Sequence, residues 1–408
     1  MQPLPNFEDC GLFRKAVNPH TDIVSYLLER RVALHQQGWY FTQKSMTDDG
    51  RFLLFCAFDA APSAKRIAVV DLQRETIVFP DVSPFGGGNL PFLDTARGLL
   101  YVVRGEEMAI FDLAADPVHP ARCVPLPMKE LRKFGQDVKR FFTHLTLSPD
   151  HREALFDSRV DDRFVLGTFH LADGGYEFWQ ETPFHLNHAQ FHPTDPDLAM
   201  GAWECSYTDR NGQTHRIHLV DGIYPRIWLL RRDGTRENIP PKINNYATHE
   251  VWAPDGRGIF YCGNSDDAVL SNRGKDHAPV NLSASGVFYH DLATGVQTTV
   301  VGHTAAHADG SRDNRCLTFD CMVGPWYRGC PWSVHFVNRE TGMLTDICTA
   351  MPRLNRQGVP NAMHPDPHPH FVCHDRLIVY SCNDAGGRIN VAVTPVDQLI
   401  EQTAVTVR

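Results

Sequence analysis

The segment Asn361-Ala-Met-His364-Pro-Asp-Pro-His368-Pro-His370 gathers three imidazoles and a carboxamide into one short stretch. In extended chain, residues two apart face the same side, so His368 and His370 are expected to present both rings to one ion. His364 or Asn361 would supply a third ligand, and His249, from another part of the chain, a fourth. Pro365, Pro367 and Pro369 stiffen the segment and favour preformed ligand geometry. Such nitrogen-rich ligand sets suit Mn, Zn, Fe or Ni, and the residues alone do not choose among these ions.

The other histidines need a framework to be read. The chain has 21, and a turn signal recurs along it that orders many of them. Ser45-Met-Thr-Asp-Asp-Gly, Leu147-Ser-Pro-Asp-His, Phe191-His-Pro-Thr-Asp, Trp252-Ala-Pro-Asp-Gly and His307-Ala-Asp-Gly-Ser-Arg-Asp-Asn-Arg each lead into a short apolar run. Weaker copies are Phe92-Leu-Asp-Thr-Ala-Arg-Gly and Phe371-Val-Cys-His-Asp, making seven at intervals of roughly 45 to 65 residues. A second apolar run with its own turn follows most copies, as in Ile67-Ala-Val-Val-Asp-Leu and Val287-Phe-Tyr-His-Asp-Leu-Ala-Thr-Gly. Short strands at even spacing with such turns are hairpins, and about four strands per unit make a propeller blade. The expectation is an all-β, seven-bladed β-propeller forming one domain over residues 1–408. Residues 1–35 would close the ring or cover one face. Helical patterning is scarce, with Ile23–Val32 its best candidate.

In a blade, the strand leading into this turn is the innermost one. His35, His144, His185, His188, His249, His303, His307, His364, His368 and His370 precede the turns of six units. Imidazoles delivered from separate blades to one channel mouth bind a metal or carry out acid/base chemistry.

Composition narrows the rest. The 408 residues are 42% hydrophobic and 21% charged, as in a folded globular chain. A net charge of −9 with no basic face argues against a nucleic-acid partner. No apolar run is long enough to span a membrane, so no membrane association is expected. The N-terminus lacks a signal-peptide pattern, and eleven cysteines without a CxxC pair read as reduced thiols. A cytoplasmic location follows as an expectation. Nothing in the sequence specifies an oligomeric state.

Two phrases carry a resemblance. Arg226-Ile-Trp-Leu-Leu-Arg-Arg-Asp-Gly, followed by Ala247-Thr-His249-Glu-Val-Trp-Ala-Pro-Asp-Gly, resembles the oligogalacturonate lyases, seven-bladed propellers that cleave polysaccharides. Trp39-Tyr-Phe-Thr-Gln-Lys-Ser and the His-Pro-rich approach to the seventh unit are similar too. The resemblance implies a manganese-type divalent ion, with zinc as the alternative, held by three His and one Gln. It carries His249, His368 and His370 over as ligands. The position of the Gln, three residues before His368, is Pro365, so Asn361 or His364 would stand in. The implied substrate is a 4-linked uronate oligosaccharide, cleaved by β-elimination to a 4,5-unsaturated end. Related propeller lyases act on other uronate glycans such as ulvan.

That reaction removes a weakly acidic C5 proton beside a carboxylate. It needs the carboxylate charge neutralised, a base at C5 and a donor for the leaving C4 oxygen. Candidates for the base are His188, Arg163, Tyr207 and Arg226, with His144 neutralising the carboxylate. The resembled family uses an arginine, which serves as base only when its charged form is disfavoured. There is no Gly-x-Ser-x-Gly elbow and no P-loop, while Asp161, Asp162 and Glu204 are the carboxylates available for a glycosidase. The reading from another class is a non-catalytic propeller that binds a glycan or protein.

Overall fold

The computed structural model describes residues 4–59, 65–85, 89–182, 185–204, 206–208, 214–216, 225–240, 247–264, 285–302, 305–322, 332–349, 351, 366–384 and 386–404. Its strands form seven antiparallel sheets around one axis, together with a small two-stranded hairpin. The all-β, seven-bladed propeller expected from the repeat is the fold observed.

The repeated turns are built by carboxylates that cap their own backbone. Asp49 accepts from the Arg51 N–H at 2.9 Å, Asp255 from Arg257 at 2.9 Å and Asp313 from Arg315 at 3.0 Å. The outer hairpins repeat the device, with Asp71 accepting from Gln73 and Arg74 at 3.0 and 3.2 Å and Asp112 from Ala114 and Ala115 at 3.1 and 3.2 Å. Asp is selected because its short side chain satisfies the turn's N–H groups locally. In blade three the place of the turn glycine is taken by His151, at φ +58°. Its Nδ1 lies 2.7 Å from the Asp94 carboxylate of blade two, a contact that joins the two blades.

Between the turns lie runs such as Phe52–Phe58, buried at every position. Their two faces pack on the two neighbouring blades. Leu53, Phe55 and Ala57 join the cluster shared with blade seven, whereas Phe52, Leu54 and Cys56 join the one shared with blade two. The strands are therefore continuously apolar rather than alternating.

Blade seven is assembled from both ends of the chain. His370–Val372, Leu377–Asn383 and Ile389–Pro395 are its inner strands, and Val24–Leu28 adds to them through Tyr26 opposite Val393 and Leu27 opposite Ala392. Phe13–Val17 then pairs with Val24–Leu28. The helical expectation for Ile23–Val32 is thus corrected. Pairing with Ile389–Pro395 satisfies the backbone of this segment, and that tertiary term outweighs its local propensity. The nine cysteines among the described residues form no disulfide, and no described helix is long and apolar enough to cross a membrane.

Candidate metal and acid/base site

The inner strands do not run straight to the channel mouth. His188 lies where the pairing of Leu186–Phe191 with Leu198–Trp203 shifts register, between Asn187 and Gln190. His249 lies at the same kind of shift in blade five, between Thr248 and Val251. Both adopt left-handed backbone, at φ +53° and +50°, and His368 in blade seven matches them at +48°. Non-glycine residues are costly in this region, and such strain gathers at functional sites. Here it recurs at one place in three blades.

Buried carboxylates hold these irregular backbones. Asp157 accepts from Thr143 N at 2.6 Å and from Ala189 N of the next blade at 3.4 Å. Asp320 does the same in blades six and seven, accepting from His307 N at 2.8 Å and His368 N at 3.0 Å. Both follow a phenylalanine, in Phe156-Asp157 and Phe319-Asp320. Burial pushes the Asp320 carboxyl up to about 7, opposed by the His307 and His368 N–H groups.

Five imidazoles converge on the Tyr40–Phe41 pair. The Tyr40 ring lies 4.7 Å from those of His144 and His368 and 5.8 Å from those of His188 and His307. Phe41 meets His249 at 6.1 Å and His307 at 5.2 Å. Burial holds the Tyr40 phenol well above its ordinary range, so it stays protonated.

One group consists of His307, Asp366 and His368, which place candidate ligand atoms within 4.8 Å of one another. All three are buried, and the His249 ring lies 4.0 Å from that of His307 at a tilt of 42°. Asp320 lies 2.9 Å from His307 Nδ1, which directs that N–H to the carboxylate and leaves the lone pair on Nε2. Metal-binding histidines are oriented in this way. Burial, followed by the nearby His307 and Arg226, keeps His249 well below its usual range and therefore neutral. A donor set of two imidazoles and a carboxylate, with a third neutral imidazole alongside, fits a divalent transition metal.

In a second group, His144 and His188 stack at 4.5 Å with their planes 27° apart. His188 Nδ1 lies 3.6 Å from Glu250, whose carboxylate takes Arg226 Nε at 2.8 Å. Burial alone would raise the Glu250 carboxyl, but Arg226 and His188 hold it well below the carboxylate range. Arg226 also reaches Glu204 at 3.4 Å.

Several predicted residues lie elsewhere. His370 does not share a face with His368, because the left-handed turn at His368 breaks the extended alternation. Its Nδ1 donates to the His368 carbonyl at 2.9 Å and its Nε2 meets Ser45 Oγ at 2.7 Å. Arg163 is exposed and pairs with Glu181 at 3.3 Å. His35 packs on Phe58 and His185 on Phe164. The backbone of Tyr207 belongs to the strand Ser206–Thr208, which pairs with Thr214–Arg216 and falls in the chain between two strands of blade four. Asn361, His364 and His303 lie outside the described residues. Asp162 is exposed and faces Lys139 and Arg159, while Glu204 alone of the three carboxylates reaches the site. Asp366 as a ligand, Glu250 beside His249, and Tyr40 carry no such signal in the sequence. The Phe-Asp repeat was the available signal for the supporting carboxylates.

No family model and no curated protein matches the sequence. Among solved structures, the chain is similar to an oligogalacturonate lyase in complex with manganese, with a TM-score of 0.69 at 17% identity over 94% of this chain and 96% of that one. An oligogalacturonate lyase from Vibrio parahaemolyticus gives a TM-score of 0.68 at 17% identity over the same shares, 94% and 96%. Hydrazine synthase from Kuenenia stuttgartiensis is more distant, with a TM-score of 0.53 at 11% identity over 90% of this chain and 98% of that one. The resemblance read from the His249 phrase thus extends to the whole propeller.

Proposed function

We propose that this propeller is a metal-dependent lyase that cleaves 4-linked uronate oligosaccharides by β-elimination, leaving a 4,5-unsaturated end. The observation that carries the reading is the division of one channel mouth into two stations around Tyr40. A His/Asp ligand group and a His–Glu–Arg chain each bring an imidazole to the Tyr40 ring. The fold it shares with oligogalacturonate lyases supports the same class.

His307, Asp366 and His368 would hold a divalent ion, manganese or zinc, with His249 as neighbouring ligand. Asn361 and His364 remain ligand candidates, and His370 supports His368 through its carbonyl. The ion when bound would neutralise the substrate carboxylate and so acidify the C5 proton. His188 is the base for that proton. Glu250 beside Nδ1 orients the imidazole, and Arg226 fixes Glu250. His144 stacks beneath His188 and limits the positions of its ring. The protonated Tyr40 phenol lines the same space. Arg226 is better suited to this orienting part than to the base, since two carboxylates favour its charged form.

The test is a screen of pectic, ulvan, alginate and glycosaminoglycan oligosaccharides for the ultraviolet absorbance of the conjugated product, with manganese and with chelator. A metal-dependent rise on one of them supports the reading. No rise on any, together with no bound transition metal in the purified protein, would sink it.

A further inference from the structure

We propose that Ser333, His335 and Asp346 form a second reactive centre, in blade six, which transfers acyl groups from small carboxylic esters to water. The proposal is independent of the lyase reading. Ser333 Oγ lies 2.7 Å from His335 Nε2, and His335 Nδ1 lies 2.7 Å from Asp346 Oδ1. That is the order of contacts by which a nucleophile, its base and an orienting carboxylate work together. No nucleophile elbow announced it, because Ser333 stands on a strand rather than on a strained turn. Such centres are recognised by geometry rather than by motif.

The strands create the arrangement. Ser333 and His335 are two apart on Trp332–Asn338 and so face the same side of the blade. Asp346, on the adjacent strand Met343–Cys348, stands directly opposite His335 in the register. The imidazole is buried and stacked on Phe319, with centroids 4.9 Å apart and planes 24° apart, which restrains the ring. With Nδ1–H given to Asp346, Nε2 is the acceptor for the serine proton. The strand of Asp346 is anchored by Asn18 and Thr21 of the N-terminal segment, which donate to its carbonyl at 3.2 and 2.9 Å. Ser333 and Asp346 are only half-buried, so the serine keeps part of its surface open, and its Oγ also lies 3.4 Å from the Cys321 carbonyl. The neighbouring Cys321 thiol is pushed up to about 12 by burial and does not compete as a nucleophile.

In the acylation step Ser333 Oγ bonds to the ester carbonyl carbon and its proton passes to His335 Nε2. The ester C–O bond breaks, and the departing alkoxide takes that proton from His335. Water then attacks the acyl carbon, giving its proton to His335. Ser333 is released with that proton, and a carboxylic acid leaves.

The intact protein is treated with a fluorophosphonate probe, and the adduct is located by peptide mass spectrometry. One adduct per chain at Ser333 is expected, none in Ser333→Ala, and labelling at least about tenfold slower in His335→Ala and Asp346→Asn. A burst of p-nitrophenol from its acetate ester should match the protein concentration and vanish in Ser333→Ala. An unlabelled Ser333 in folded wild-type protein overturns the proposal, as does undiminished labelling in His335→Ala. Should that variant not fold, the near-isosteric Asp346→Asn decides in the same way.

Discussion

Arg226 and Glu250 meet at 2.8 Å with both side chains almost wholly buried, and the same guanidinium reaches Glu204 at 3.4 Å. Glu250 stands in turn 3.6 Å from His188. The buried pair therefore links the core of blades four and five to an imidazole that is 17% exposed at the channel mouth. Removing Glu250 leaves the buried guanidinium with Glu204, and removing Arg226 leaves the buried carboxylate with His188 beside it.

Glu250→Ala is accordingly expected to cost about 3–5 kcal/mol of stability, measured by urea unfolding. Glu250→Gln keeps the shape and should cost less stability, while lowering the turnover of uronate oligomers. Turnover equal to wild type in a folded Glu250→Gln would remove Glu250 from the base's support.

His188→Ala should lower kcat by about 10²- to 10⁴-fold, the usual share of a general base. Metal content should remain stoichiometric, because His188 is not one of the residues that place ligand atoms together and its own partner is Glu250. Loss of the metal in this variant would count against the separation into two stations.

His307→Ala, His368→Ala and Asp366→Asn should each weaken divalent-ion binding, read by isothermal titration with manganese. The stabilisation the ion confers on the wild type, about 2.7 kcal/mol at a hundred times Kd, should shrink in parallel. His370→Ala tests the geometry most sharply. Its ring nitrogens engage Ser45 and the His368 carbonyl, so it should reduce stability more than ligand number.

The Asp94–His151 contact should appear in the pH dependence of stability. Burial alone would raise the Asp94 carboxyl, but His151 and Arg97 hold it below its usual value. A depressed folded value means that its contribution is present above the unfolded carboxyl pKa and is lost as pH falls through the folded value. Asp94→Asn should be less stable than wild type at neutral pH, with the difference disappearing in acid. A difference independent of pH would show that the contact acts through packing alone.

How much of this was legible in the chain depends on the range of each interaction. The Asp-based turns announced themselves because Asp49, Asp71, Asp112 and Asp255 cap amides only two or three residues away. His144, His188, His249, His307 and His368 could be placed at one mouth because each keeps a similar offset from such a turn. The direction of each ring was another matter. His368 and His370 look equivalent in an extended stretch, yet one left-handed residue sends them to different neighbours. The segment Ile23–Val32 misleads in the same way, since its partner strand begins at Ile389.

By itself, then, the sequence determined the seven blades, the scarcity of helix and the concentration of imidazole at the repeated inner position. These follow from local turn chemistry and apolar patterning, which repeat with the chain. That Asp366 joins His307 and His368, that Glu250 and Arg226 stand behind His188, and that Tyr40 meets imidazoles of both groups came from the packing of the blades. Those contacts span blades far apart in the chain and pass through bulged, left-handed residues. Closing the ring, and no local preference, brings them together.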